Sequence, residues 1–302
     1  MESLLEAIPY LLLGVVTGAY GILVGAGGGV ILAPARLLFF NIEPAIAAGT
    51  SLVLVSVNSV SGTLAYKRTG LVDYRSGFLF SVAAVPGSVI APLLLNVAAP
   101  ELFNILFGLM LLILGIVVSV RPNIRERDSI DGKDVSTGNA TSISNPTPKW
   151  LNFTVKERKI LSQKGVSYVF RFNESVCFVF NVFLGFISSF FGTGGGFLRT
   201  PVLISGFGFP VQVAVATSIF ALSIYSTMGA AVHAYLGNVD WYPIALWSGV
   251  GLIVGGQIGA RLLEIVNGLW ILRILLLVVI LLGIQLIVQG VWSDSYSLQI
   301  IH

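Results

Sequence analysis

The sequence predicts an all-α polytopic membrane protein in which two inverted-topology repeats each open with a re-entrant helical hairpin broken by glycine. Three observations lead to this fold class. Of the 302 residues, 55% are hydrophobic and 10% charged, with a mean hydropathy of +0.91, whereas soluble domains carry about a quarter charged residues. Apolar stretches of about 20 residues, long enough to cross a bilayer as helices, recur along the chain. The two halves of the chain also repeat each other.

Eight apolar segments form the expected membrane helices, four in each half. The first segment of each half is too long for one crossing, because about 20 residues suffice. We expect both to fold back on themselves, so that each half crosses the membrane an odd number of times. The segments are 7–40, 45–66, 76–99 and 101–120 in the first half, and 174–207, 211–236, 241–263 and 269–292 in the second.

A hydrophilic stretch at 121–165 separates the halves and holds nine of the 17 basic residues among Ser, Thr, Asn, Gly and Pro. This composition is typical of a solvated linker. The predicted domains are therefore membrane repeat 1 at 1–120, the linker at 121–165 and membrane repeat 2 at 166–302.

An internal repeat relates the halves. Adding 167 to a residue number in 18–73 aligns it, without gaps, with 185–240. Sixteen of the 56 pairs are identical, more than the few that chance would give. Duplicated membrane halves are either parallel or inverted, and the charges of the loops distinguish the two.

The loop charges favour inverted repeats, because short cytoplasmic loops collect Lys and Arg. Lys67 and Arg75 flank the loop after the second segment of the first half, and the equivalent loop of the second half has no basic residue. The contrast reverses in the next loop, where only the second half has Arg261 and Arg273. The sequence thus predicts a multi-pass plasma-membrane protein with a cytoplasmic linker and both termini outside.

Glycine clusters interrupt the first segment of each half at Gly25–Gly29 and Gly192–Gly196. Glycine in a helix interior costs about 1 kcal/mol relative to Ala, so we expect the backbone to leave the helix there. One reading is close helix packing through small residues. The favoured reading is a substrate site between the repeats, lined by Gly27, Gly28, Gly29, Gly194, Gly195 and Gly196.

A helix that starts after each turn, near Val30 and Phe197, would point free backbone N–H groups at an anion. Arg199 lies in the apolar run just after the second turn, where a charge is costly, and is the leading candidate for an anion ligand. Arg36 follows the first turn less closely, and it is either a second ligand or a helix-end residue that extends to the interface. The two positions do not correspond in the repeat, so the predicted site is asymmetric.

Polar residues of the following span complete the candidate site. Their hydroxyls either donate to a ligand or bond back to the preceding helical turn. Asp73 and Asp240 are expected to cap helices, with a proton or gating role as the alternative, and His233 is expected near the membrane interface, with proton transfer as the alternative. The remaining candidate substrate-binding residues are Thr50, Ser51, Asn58, Thr217, Ser218 and Tyr225, of which Asn58 and Tyr225 are equivalent in the repeat.

Other classes of function fit the sequence poorly. Two histidines, one cysteine and no pair of carboxylates in the apolar segments argue against an enzyme, a metal site or a bound cofactor. The Gly25–Gly29 cluster is not a dinucleotide-binding turn, since Val30 occupies the third glycine position. No basic face with interleaved aromatics indicates nucleic acid. An anion channel, or a permease for a different small solute, remains an alternative.

The motifs together resemble the TauE/SafE sulfite exporter family, also called TSUP. They are the glycine clusters followed by Pro34 or Pro201, the pairs Ala47-x-x-Thr50-Ser51 and Ala214-x-x-Thr217-Ser218, and the Gly-x-Val-Asp turns that end at Asp73 and Asp240. The resemblance implies a transporter of sulfite, sulfoacetate or related organosulfonates, coupled to an ion gradient. The expected partners are a small anionic substrate, the lipid bilayer and a coupling proton.

Overall fold

The computed structural model describes residues 2–40, 42–120, 154–163, 165–262, 277 and 279–291. The described chain is mostly helical, as the sequence predicts. The helices of the first half are α1 (Glu2–Val24), α2 (Gly29–Phe40), α3 (Pro44–Lys67), α4 (Tyr74–Leu95) and α5 (Pro100–Val120). Those of the second half are α6 (Glu174–Phe190), α7 (Gly196–Ser205), α8 (Val211–Tyr235), α9 (Leu246–Leu262) and α10 (Val279–Val291).

Five stretches of the described helices are long and apolar enough to cross a membrane: Ala7–Val24, Pro44–Lys67, Tyr74–Leu95, Val211–Tyr235 and Trp241–Leu262. Shorter apolar helices cover Gly29–Leu38, Pro100–Ile116, Glu174–Phe190 and Val279–Val291. These helices coincide with the predicted apolar segments, and they support a multi-pass membrane protein. Most of the predicted linker, 121–153, and the start of the eighth segment lie outside the described residues.

One element departs from an all-α chain. An antiparallel hairpin of β1 (Val155–Leu161) and β2 (Ser167–Asn173) spans the end of the predicted linker, in register from Val155 opposite Asn173 to Leu161 opposite Ser167. The predicted linker is therefore structured at its C-terminal end. The hairpin forms there because alternate residues of β2, Phe170 and Phe172, are buried, and their rings lie 4.3 and 4.9 Å from that of Phe209.

The two expected helix caps differ. Asp73 caps α4 as predicted, since its side chain accepts a hydrogen bond from the Ser76 N–H at 3.2 Å. Asp240 was expected to do the same before α9, and that expectation is wrong: its carboxylate makes no cap hydrogen bond. A π-turn at Trp241–Ala245 precedes α9, and the non-helical backbone of Tyr242 (φ −132°, ψ 135°) removes the regular first turn that a capping side chain would bond to.

Helices α3 and α8, which the 167-residue offset makes equivalent, pack antiparallel along the centre of the bundle. Ser56 Oγ lies 2.6 Å from Thr227 Oγ1 near the middle, and Thr63 Oγ1 lies 3.4 Å from the Ile219 carbonyl towards one end. Around this pair, α1 packs on α9, and their equivalents α6 and α4 pack on each other. The first helix of each half therefore lies against the fourth helix of the other half.

Candidate anion site at the glycine turns

Both long opening segments are broken where the sequence predicts. α1 ends at Val24 and α2 begins at Gly29, while α6 ends at Phe190 and α7 begins at Gly196. Three pairs of equivalent glycines in the turns have positive φ, a conformation that residues with side chains rarely adopt. They are Gly25 and Gly192 (76° and 66°), Gly27 and Gly194 (71° and 82°), and Gly28 and Gly195 (91° and 64°).

The two turns contact each other across the halves. A Cβ atom at Gly196 would overlap the Gly25 carbonyl oxygen and lie 3.0 Å from Ala26 Cα. A Cβ atom at the equivalent Gly29 would lie 2.8 Å from the Gly192 carbonyl oxygen. Only glycine fits at these two positions, and it allows the N-terminus of each second half-helix to touch the turn of the other half.

Side chains from α3 and α8 bind the carbonyl groups that the helix breaks leave free. Asn58 Nδ2 donates to the Gly27 carbonyl at 3.0 Å, and its equivalent Tyr225 donates to the Gly194 carbonyl. Tyr66 Oη donates to the Ile22 carbonyl at 3.0 Å. These bonds compensate for the helical hydrogen bonds lost at each break.

The second half completes the same pattern with a different side chain. His233, the equivalent of Tyr66, donates from Nε2 to the carbonyl of Ser189, the equivalent of Ile22, at 3.0 Å. His233 was expected near the interface, and in the structure its side chain is fully buried within the bundle. Asn58, Tyr225, Tyr66 and His233 thus hold the turns in place.

Val55 and Leu222, also equivalent in the repeat, close over both turns. A Cβ atom at Gly27 would lie 2.7 Å from Leu222 Cδ2 and 2.9 Å from Val55 Cγ1. A Cβ atom at Gly194 would lie 2.5 Å from Val55 Cγ1 and 3.2 Å from Leu222 Cδ1. Both side chains are fully buried. Where the two turns meet, apolar side chains therefore fill the space between the halves.

Arg199, the leading candidate ligand, is fully buried beside the second turn. Its Nε donates to Asn181 Oδ1 at 2.7 Å, its Nη1 lies 3.5 Å from the Ser218 carbonyl oxygen, and its Cζ lies 4.7 Å from the centre of the Tyr225 ring. The remaining nitrogen, Nη2, has no hydrogen-bond partner among the described residues. Within the same part of the chain, no Asp or Glu forms an ion pair with Arg199.

Arg36 is also buried, with 4% of its surface exposed, and it pairs with a carboxylate: Nη2 lies 3.5 Å from Asp240 Oδ2. Neither Nε, Nη1 nor Nη2 of Arg36 makes a hydrogen bond to the described residues. Arg36 is therefore held by charge attraction to Asp240.

The two arginines lie at opposite ends of the α3–α8 pair. The Arg36 partner Asp240 donates its N–H to Thr50 Oγ1 at 2.9 Å, so Arg36 belongs to the Thr50 end. Leu52 of α3 lies opposite Gly229 of α8, so in this antiparallel pair Thr50 lies opposite Ala231. Arg199 lies beside Ser218, which is 13 residues from Ala231 along α8. At a rise of about 1.5 Å per residue the separation is about 20 Å. One small anion cannot touch both.

The hydroxyl pairs hold the halves together. Thr50 and Thr217 accept hydrogen bonds from the main-chain N–H groups of Asp240 and Asp73, at 2.9 and 3.0 Å, each across the two halves. Ser218 Oγ donates to the Gly25 carbonyl at 3.3 Å, whereas Ser51 Oγ is buried and has no partner in the described chain. The structure thus groups Gly194, Gly195, Gly196, Arg199, Ser218 and Tyr225 at one place. Arg36 and Thr50 lie together at a second place, the opposite end of the α3–α8 pair. Gly27, Gly28, Gly29 and Asn58 lie at the first glycine turn.

Sequence reasoning missed two residues near Arg199. Asn181 orients the guanidinium. Ser188 places a buried Oγ beside the second turn and the Tyr225 hydroxyl, where a Cβ atom at Gly195 would lie 3.0 Å from Ser188 Cβ and 3.3 Å from Tyr225 Oη. A signal existed, since both are polar residues in the apolar helix α6. They were missed because the offset of 167 aligns them with Gly14 and Gly21, so neither recurs in the first half.

Comparisons with known proteins agree with this architecture. The family described as "Sulfite exporter TauE/SafE" matches residues 10–286. The probable membrane transporter protein YunE of Bacillus subtilis is 30% identical, over 93% of this chain and 97% of that protein. The probable membrane transporter protein MJ0441 of Methanocaldococcus jannaschii is 24% identical, over 86% and 88%. No solved structure matches the chain significantly.

Proposed function

Because this chain belongs to the TauE/SafE sulfite exporter family of membrane transporters, we propose that it is a secondary carrier of small sulfur-containing anions, such as sulfite, sulfoacetate or related organosulfonates. The family supports this class of substrate. The chemistry of the Arg199 site supports it independently, because that site suits an anion.

The observation that carries the proposal is the unpaired charge of Arg199. A guanidinium that is fully buried and lacks a carboxylate partner in the described chain is costly unless a negative charge approaches it. Its Nη2 has a free donor, and the N-terminus of α7 adds the positive end of a helix dipole. A bound anion would supply the missing partner.

The arrangement of the helices supports transport by alternating access. We infer that the repeats are inverted, since the equivalent helices α3 and α8 run antiparallel. The two glycine turns would then be the tips of re-entrant hairpins that meet at the bundle centre, closed by Val55 and Leu222. Rocking of one repeat against the other would open the two sides in turn. We keep a cytoplasmic linker, external termini and a coupling proton as parts of this proposal.

Transport by an Arg199→Gln variant tests the proposal. Purified protein in liposomes should take up labelled sulfite or a sulfonate with saturable, gradient-driven kinetics, and Arg199→Gln should abolish that uptake without loss of membrane expression. The matched control is Arg171→Gln, which removes an exposed arginine of the hairpin paired with Glu157 and should transport normally. Normal uptake by Arg199→Gln would refute the site, and single-channel conductance would favour the anion-channel alternative.

A further inference from the structure

We infer that the Arg199 site accepts its substrate as a monoanion and rejects dianions. This inference rests on the proposed function, and it names the charge class of the substrate. The balance of formal charge around the fully buried guanidinium sets this limit on the ligand.

Arg199 supplies a single positive charge to its surroundings. Its contacts in the described chain are neutral: the Asn181 amide oxygen, the Ser218 carbonyl oxygen and the Tyr225 ring. A bound anion with one negative charge would leave the site neutral. A second negative charge would stay uncompensated in a closed, poorly solvated environment, where the cost of burying a charge is greatest.

The ion-pair group in the interior at the same end of the bundle adds no surplus positive charge, and the basic residues of the adjoining loop, Lys67, Arg68 and Arg75, are exposed, so solvent screens their charges. Arg158 of the hairpin lies with its Nε 3.7 Å from Asp73 Oδ2, and its Nη2 bonds to Glu174 Oε1. Two carboxylates therefore share one arginine, and this group carries a net charge of −1. Its field opposes a dianion at Arg199 more strongly than it opposes a monoanion.

The free donors at the site suit a tetrahedral or pyramidal oxyanion of small size. Arg199 Nη2 and Ser188 Oγ are both buried, and the neighbour that both residues share is the Tyr225 hydroxyl, so each keeps donor capacity for an entering anion. Ser188 lies beside Gly195 and Tyr225 Oη, at the start of α7. These donors can satisfy the oxygens of one sulfonate or hydrogensulfite group without a second cation. Within the sulfur-containing anions, the inference therefore selects hydrogensulfite and simple alkanesulfonates over sulfate and sulfoacetate, which carries a second negative group.

Methanesulfonate and sulfate provide the sharpest test, because they are of similar size and differ in charge. Their binding to the wild-type protein in lipid nanodiscs would be measured by ligand-dependent thermal stabilisation at constant ionic strength. We expect methanesulfonate to bind at least about tenfold more tightly than sulfate. Equal or tighter binding of sulfate would overturn the inference, as would no binding of methanesulfonate at all.

A charge introduced at Asn181 gives a second, independent test. Asn181→Asp places a carboxylate against Arg199 Nε, now 2.7 Å from the Asn181 oxygen, and so neutralises the site. We expect methanesulfonate binding to weaken by about a hundredfold. The control Asn96→Asp makes the same chemical change at the opposite end of the bundle, where Asn96 Oδ1 accepts from Asn238, and should bind normally. Unchanged binding by Asn181→Asp would contradict the charge argument.

Different results would refute the proposed function and the charge rule. If Arg199→Gln transports normally, the proposed function of this site is wrong. If Arg199→Gln loses transport while the wild-type protein binds sulfate as well as methanesulfonate, the site is correct and only the charge rule is wrong. The comparison of the two ligands needs no variant, so a misfolded Asn181→Asp protein would still leave the inference open to refutation.

Discussion

The contact between the two glycine turns can be tested by adding one methyl group. In Gly196→Ala the new Cβ atom would overlap the Gly25 carbonyl oxygen and lie 3.0 Å from Ala26 Cα. Both obstacles are main-chain atoms of the opposite turn, so no side-chain rotation can relieve the overlap. Gly196 does not have a positive φ, and the substitution therefore adds steric overlap without backbone strain.

The cost follows from the distances. Carbon atoms pack at about 3.5–4.0 Å, so even the contact with Ala26 Cα is short by about half an ångström or more. Overpacking of this kind costs typically 1–3 kcal/mol, and the main-chain obstacles place Gly196→Ala near about 3 kcal/mol. For a chain of this size, that predicts an apparent melting temperature lower by about 5 °C or more.

Gly249→Ala is the matched control, because a Cβ atom there would meet only Leu54 Cδ2 at an ordinary 3.7 Å. Helix propensity alone should leave that variant as stable as the wild-type protein or slightly more stable. Thermal unfolding of the three proteins in detergent, followed by intrinsic fluorescence, gives the comparison. If Gly196→Ala melted together with Gly249→Ala, the turns could not be in the contact described.

Two further changes probe the closed centre and the support of the turns. The double variant Val55→Ala, Leu222→Ala should open a leak, seen in liposomes as non-saturating anion flux. The control Val60→Ala, on the exposed face of α3, should not leak. If anion flux through the double variant still saturated and depended on the gradient, the pair would be no barrier. Tyr66→Phe removes the hydroxyl that donates to the main chain of α1, and it should lower the free energy of unfolding by about 1–2 kcal/mol. The control Tyr74→Phe changes a side chain that is 47% exposed and should have no measurable effect. Equal effects of the two changes would argue against a support role for Tyr66.

The sequence predicts the parts of this fold that local composition controls. Apolar length gives the positions of the helices, and the glycine clusters give the two breaks, because positive φ is a property of single residues. Asp73 caps its helix for the same reason, since the groups involved lie within three residues. Asp240 has the same local signal, and it fails as a cap because the π-turn that follows disrupts the first turn of α9.

Features set by distant contacts were beyond the sequence. The β-hairpin depends on Phe209, far along the chain, to bury Phe170 and Phe172. The predicted inversion implies that Arg36 and Arg199 follow their turns in opposite directions, but the distance between them depends on the register of α3 and α8, which no local pattern encodes. The sequence therefore predicts both arginines as site residues, but in the structure a single small ligand cannot contact both.

The repeat explains why a symmetric scaffold can hold an asymmetric site. Two of the bonds that support a turn occur in both halves, with Asn58 matched by Tyr225 and Tyr66 by His233. The charge does not occur twice, since Arg199 aligns with Leu32. The hydrogen bonds that support the turns need only a donor at a given position, and several residue types provide one. The formal positive charge at the site would double if both halves carried an arginine. On the proposed function, a second arginine would favour dianions. On that same proposal, the asymmetry at Arg199 would set the charge of the accepted anion, and it would do so without disturbing the turns that both halves share.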